Sequence, residues 1–134
     1  MLKNFKFNHI GMAVFSIEKT AITYLDAGYT KTDTVFDPIQ NVNICFLSKA
    51  GMPTVELLEP VDESSPVNDT LKKCGVAPYH TCYEVKSIDE AAAELRQKRI
   101  FPLGKAEEAI AFGGCRVCFF YNKNIGLIEL VERR

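Results

Sequence analysis

Bulky and small residues alternate through "FKFNHIGMAV", residues 5–14. Asn8, Ile10, Met12 and Val14 fall on one side, and Phe7, His9, Gly11 and Ala13 on the other. That period of two predicts a strand whose bulky side is covered. After Ser16 the period changes. Ile17, Ala21, Tyr24 and Leu25 recur at i, i+4, i+7 and i+8, which predicts a helix capped by Ser16 and stopped by Gly28. Three further strands are predicted over 29–36, 42–48 and 53–59. The same succession then returns. "APYHTCYEV" reads as a strand, Ser87 and Glu90 as a capping box, and Ile88, Ala92 and Leu95 as the helix stripe. Strands over 100–106, 115–121 and 126–132 follow, with "FGG" (112–114) and "NKN" (122–124) as turns. Between the two halves, 65–75 predicts a short linker helix with Ser65 as cap, Pro66 in the first turn and Gly75 at its end.

Superposition of the halves exposes a duplication. A shift of 71 carries His9, Val14, Ser16 and Ile17 onto His80, Val85, Ser87 and Ile88. A shift of 73 carries "VNICFL" (42–47) onto "CRVCFF" (115–120) and "VELLE" (55–59) onto "IELVE" (128–132). The chain is expected to be one α+β domain, 1–134, built of two tandem βαβββ modules, 5–60 and 77–132. A module this short is marginal alone, and one helix leaves the other sheet face bare. Two such sheets joined edge to edge predict a cupped, barrel-like, eight-stranded mixed sheet with the helices outside. Pockets favour such concave places.

Composition removes several function classes. The formal charge is −1 over 134 residues, with no basic stripe, so nucleic acid is not an expected partner. No apolar run reaches the roughly 18 residues of a membrane span, and the N-terminus lacks a signal-peptide core. Five cysteines, an odd number in a domain that needs no staples, suggest free thiols and a cytoplasmic location. Cys115 and Cys118 lie three apart on a strand and so face opposite sides, which disfavours a redox or zinc pair. Exposed sheet edges favour a homodimer.

The duplicated positions that are neither apolar nor turn-formers are His9 and His80 on the first strand of each copy, and Glu56 and Glu129 on the last. Parity places His9, with Gly11 and Ala13, on the bare face, and it does the same for Glu56 and Glu129. A carboxylate among leucines is costly unless paired or bound to a cation. Two imidazoles and two carboxylates form an N₂O₂ set suited to one divalent ion: Zn, Ni, Co, Mn or Fe. Glu59 and Glu132 fall on the opposite parity and read as strand-end charges, while Glu84 shares the parity of His80.

With "NHIGMAVFSIEK", "VELLEP", "ESSPV", "YHTCYEVKSIDEA" and "GLIELVE" in view, the chain resembles the vicinal-oxygen-chelate superfamily. Within it, the methylmalonyl-CoA epimerase and glyoxalase I-like families are the most similar. The resemblance implies that His9, Glu56, His80 and Glu129 are metal ligands, and that a proton moves at a carbon next to a carbonyl, with Glu129 as ligand and base. The implied function is a metal-dependent isomerase or epimerase acting on a small acyl thioester. The alternatives are a glyoxalase I-like lactoylglutathione lyase and a non-catalytic module that binds a small molecule such as an antibiotic. Epimerases of this type carry a second carboxylate before the third strand, where this chain has Ile39, with Asp37 and Gln40 beside it. Glyoxalase I enzymes commonly place an arginine four residues after the first histidine; here the residue is Ala13. Lys49, Lys72, Lys73, Lys105 and Lys123 read as solvated surface charges.

Overall fold

The computed structural model describes residues 2–133. The chain folds as two compact units, one covering residues 9–79 and the other running from His80 onward and including the residues up to Asn8.

β1 (Lys6–Ala13), which enters the first unit at His9, leads into α1 (Ile17–Asp26), followed by β2 (Thr30–Lys31), β3 (Val35–Asp37), β4 (Val42–Ser48) and β5 (Val55–Pro60). The order is β2-β4-β5-β1, with β3 also on β4; β1 and β5 are parallel and β4 and β5 antiparallel. Its core is the helix side of this sheet, where Val14, Ile17, Ala21, Cys45, Leu47 and Leu57 pack together. α2 (Val67–Cys74) follows and ends at Gly75, whose φ of 73° supplies the left-handed step that favours glycine.

The second unit repeats the plan with β6 (Ala77–Val85), which enters it at His80, then α3 (Ile88–Gln97), β7 (Phe101–Pro102), β8 (Glu107–Glu108), β9 (Arg116–Asn122) and β10 (Gly126–Glu132). The order is β6-β10-β9-β7, with β8 also on β9. Val85, Ile88, Ala91, Leu95, Cys118, Phe120, Ile128 and Leu130 form its helix-side core.

The strand count differs from expectation: ten strands are present among the described residues, not eight. The predicted strand 29–36 is two short pieces on β4 because Thr32 interrupts the ladder. Its Oγ1 accepts the Phe46 N–H at 2.9 Å where a backbone carbonyl would otherwise do so. The predicted strand 100–106 divides likewise into β7 and β8, both on β9. Leu25, expected on the buried stripe of α1, is exposed, and Ala91 rather than Ala92 completes the buried stripe of α3. Ser65, the predicted cap, lies one residue before the observed capping position. Pro66 is the N-cap of α2, and the Ser65 hydroxyl donates to the Gln40 carbonyl at 2.8 Å.

Candidate metal centre

Each unit builds the same constellation from the same strands. In β1, helix-side packing of Met12 and Val14 turns His9, Gly11 and Ala13 to the opposite face. Gly11 is the Cα partner of Glu56 on the parallel β5, so histidine and glutamate stand one step apart on adjacent strands. His9 Nε2 lies 3.3 Å from Glu56 Oε1. Phe46, opposite Glu56 across β4 and β5, meets the imidazole edge to face with centroids 5.3 Å apart.

In the other unit Cys82 is the partner of Glu129, and His80 Nε2 lies 3.4 Å from Glu129 Oε1. Phe119, opposite Glu129 across β9 and β10, packs on His80 at 5.5 Å in the same perpendicular manner. The phenylalanines, like the glutamates, are related by the shift of 73. Their pairing with the histidines was invisible in sequence because it runs across three strands.

All four polar side chains are buried: His9 0 %, Glu56 2 %, His80 4 % and Glu129 5 % exposed. Desolvating a carboxylate costs several kcal/mol unless the geometry repays it. The two N–O distances, 3.3 and 3.4 Å, exceed the ~2.7–2.9 Å of a strong charge-assisted hydrogen bond. Two donors sharing one cation on bonds of about 2.0–2.2 Å are instead held roughly 3 Å or more apart. The donor chemistry of each pair therefore fits a divalent ion, with neutral imidazole and anionic oxygen both supplied.

Several neighbouring residues differ from expectation. Glu59 and Glu132 are not strand-end surface charges. Glu59 Oε1 accepts the Ile17 N–H at 3.0 Å, and Glu132 Oε2 accepts the Ile88 N–H at 3.0 Å, so each holds the first turn of the helix in its own unit. The Arg116 guanidinium donates to Glu132 at 2.9 and 3.3 Å, and this bonding holds Arg116 above its usual range. Asp37 is buried and accepts the Ile39 N–H at 2.9 Å, closing the turn before β4. It is the cross-strand partner of Val42, which shares its parity with Ile44 and Phe46, so Asp37 stands on the same sheet face as Glu56. Glu84 accepts the Asn8 side-chain amide at 2.7 Å. Lys49 caps the C-terminus of α1 through the Ala27 carbonyl at 2.6 Å, where a cation complements the helix dipole. Cys118 is buried in the helix-side core while Cys115 lies outside it, and burial pushes the Cys45 and Cys118 thiols up.

Comparison with known proteins gives these features a family context. A family described as the glyoxalase/bleomycin resistance protein/dioxygenase superfamily matches residues 8–119. The chain is 33% identical to the mitochondrial methylmalonyl-CoA epimerase of Mus musculus over 131 residues, covering 95% of this chain and 72% of that one. It is 30% identical to the ethylmalonyl-CoA/methylmalonyl-CoA epimerase of Cereibacter sphaeroides, covering 95% and 97%. Among solved structures, the methylmalonyl-CoA epimerase of Mycobacterium tuberculosis superposes with a TM-score of 0.85 at 25% identity, covering 96% of this chain and 88% of that one. A variant of the Streptomyces coelicolor methylmalonyl-CoA epimerase in complex with 2-nitronate-propionyl-CoA superposes with a TM-score of 0.79 at 26% identity, covering 95% and 96%.

Proposed function

Since the chain belongs to the glyoxalase/bleomycin resistance protein/dioxygenase superfamily, we propose that it is a metal-dependent isomerase of the epimerase type. Its substrate is a small acyl thioester of the methylmalonyl-CoA kind, in which a proton moves at the carbon next to the carbonyl. His9, Glu56, His80 and Glu129 would hold the divalent ion. The observation that carries this is the donor pair that each unit builds for itself from buried residues: His9 Nε2 lies 3.3 Å from Glu56 Oε1, and His80 Nε2 lies 3.4 Å from Glu129 Oε1.

A carbon acid beside a thioester is far too weak for a carboxylate to deprotonate unaided. A divalent ion bound by these residues would stabilise the negative charge that develops at the carbonyl oxygen. Glu129 takes the proton, since it is the carboxylate that the family resemblance assigns as base and it is held among Leu127, Ile128, Leu130 and Val131. Phe46 and Phe119 wall the imidazoles and keep bulk water from them. Inversion of configuration also needs a proton delivered to the opposite side of the substrate carbon. With Ile39 at the position of the expected second carboxylate, Asp37 on the face of Glu56 takes that part. A pocket that only sequesters a ligand has no need of two buried carboxylates, which favours chemistry over storage. A homodimer in a reducing compartment belongs to the same proposal, the compartment being argued from an odd number of cysteines, five, in a domain that needs no staples. Sedimentation of the purified protein tests the dimer.

Metal analysis followed by proton–deuterium exchange in D₂O tests the proposal. Methylmalonyl-CoA is expected to take up deuterium at the α-carbon, whereas a glutathione hemithioacetal is not turned over. Turnover of the hemithioacetal alone would replace this function with the glyoxalase I-like one. A protein that binds no divalent ion would refute it.

A further inference from the structure

Glu56 and Glu59 share β5, and Glu129 and Glu132 share β10, each pair three residues apart. An odd separation on a strand sends the two side chains to opposite faces. One carboxylate of each pair faces the histidine, and the other reaches the helix on the reverse side. We infer that Glu59 and Glu132 are positioning residues that set the register of the metal-donor strands. This rests on the donor assignment proposed above.

The contacts trace a closed mechanical loop in each unit. The histidine strand β1 runs through Val14–Ser16 into α1, and the first helical N–H, that of Ile17, is bound by Glu59 of the glutamate strand. Val14 N–H donates to the Leu58 carbonyl at 3.0 Å, so backbone and side chain tie the same two segments. In the second unit Glu132 binds the Ile88 N–H, and Arg133 N–H donates to the Val85 carbonyl at 2.9 Å. The third strand joins too. Asn43 donates to Glu59 Oε2 at 3.4 Å, and its duplicate Arg116 donates to both oxygens of Glu132.

The serine caps take a different N–H of the first turn: Ser16 accepts from Lys19 N–H and Ser87 from Glu90 N–H. The first N–H goes to the glutamate, and an anion there is favoured by the helix dipole. A slip of one residue in β5 or β10 would carry Glu56 or Glu129 to the helix face and break this contact at once. The clamp thus resists the one displacement that would dismantle the donor set.

The test is titration of the purified apo protein with Co(II), read as affinity and as the visible ligand-field spectrum, beside circular dichroism for folding. Glu59→Ala and Glu132→Ala are expected to stay folded, to bind Co(II) about tenfold more weakly and to shift the spectrum. Glu59→Gln and Glu132→Gln, which keep an acceptor oxygen for the helix N–H, are expected to restore both. Should an alanine variant fail to fold, the aspartate variant decides: it keeps the charge but withdraws it by one methylene, and is expected to show the same loss. Folded alanine or aspartate variants with wild-type Co(II) affinity and spectrum would overturn the positioning role while leaving the donor assignment standing. A wild-type protein that takes up no Co(II) would overturn both.

Discussion

Glu129 is bracketed by Ile128 and Leu130, both in the helix-side core, so its side chain has only the opposite face to occupy. Its burial beside His80 sets up two separable losses. Glu129→Gln is expected to lower α-proton exchange by about 10²-fold or more, the usual contribution of a positioned general base. His80→Ala is expected to lose metal first and activity in consequence, read by metal content after dialysis. A Glu129→Gln protein that still exchanges protons at the wild-type rate would remove Glu129 as the base. Asp37 offers a finer distinction. Asp37→Asn retains an oxygen for the Ile39 N–H and so keeps the turn, but it cannot deliver a proton. Inversion of methylmalonyl-CoA should slow in this variant while deuterium uptake through Glu129 persists. Equal inversion rates in the two proteins would assign that proton to another group.

At the scale of elements, both α1 and α3 begin the same way, with an extended serine whose hydroxyl accepts an N–H three residues on. Ser87→Ala is expected to cost about 1 kcal/mol, read as a lower urea midpoint with unchanged slope. These caps were legible from residue type and position, as were the helices behind them, since a cap and a stripe are local signals. The strand edges were not. Thr32 looks like an ordinary strand residue, yet its hydroxyl replaces a ladder carbonyl and splits the strand in two. Glu59 and Glu132 were legible only as duplicated charges on the wrong parity. What they bind lies 42 and 44 residues away in sequence, at the start of the helix in their own unit.

For the whole molecule, the proposed donor set of His9, Glu56, His80 and Glu129 would make stability depend on the ion it binds. A ligand that binds only the folded protein stabilises it by RT ln(1 + [L]/Kd), about 2.7 kcal/mol at a hundredfold excess over Kd. Thermal unfolding is therefore expected to shift upward on adding Co(II) or Zn(II) to metal-stripped protein, and downward on adding a chelator. A midpoint indifferent to both would count against the donor set. Periodicity by itself determined the two modules, the faces of their strands, and the histidines and glutamates that stand out from an apolar pattern. Parity and repetition are local properties of a chain, and burial amplifies them. Only the tertiary structure decided that Phe46 and Phe119 back the imidazoles, that Asp37 shares the face of Glu56, and that Glu59 and Glu132 bind helix termini. Each of those contacts depends on which strands become neighbours and how far a side chain reaches, and neither is encoded by spacing along one strand.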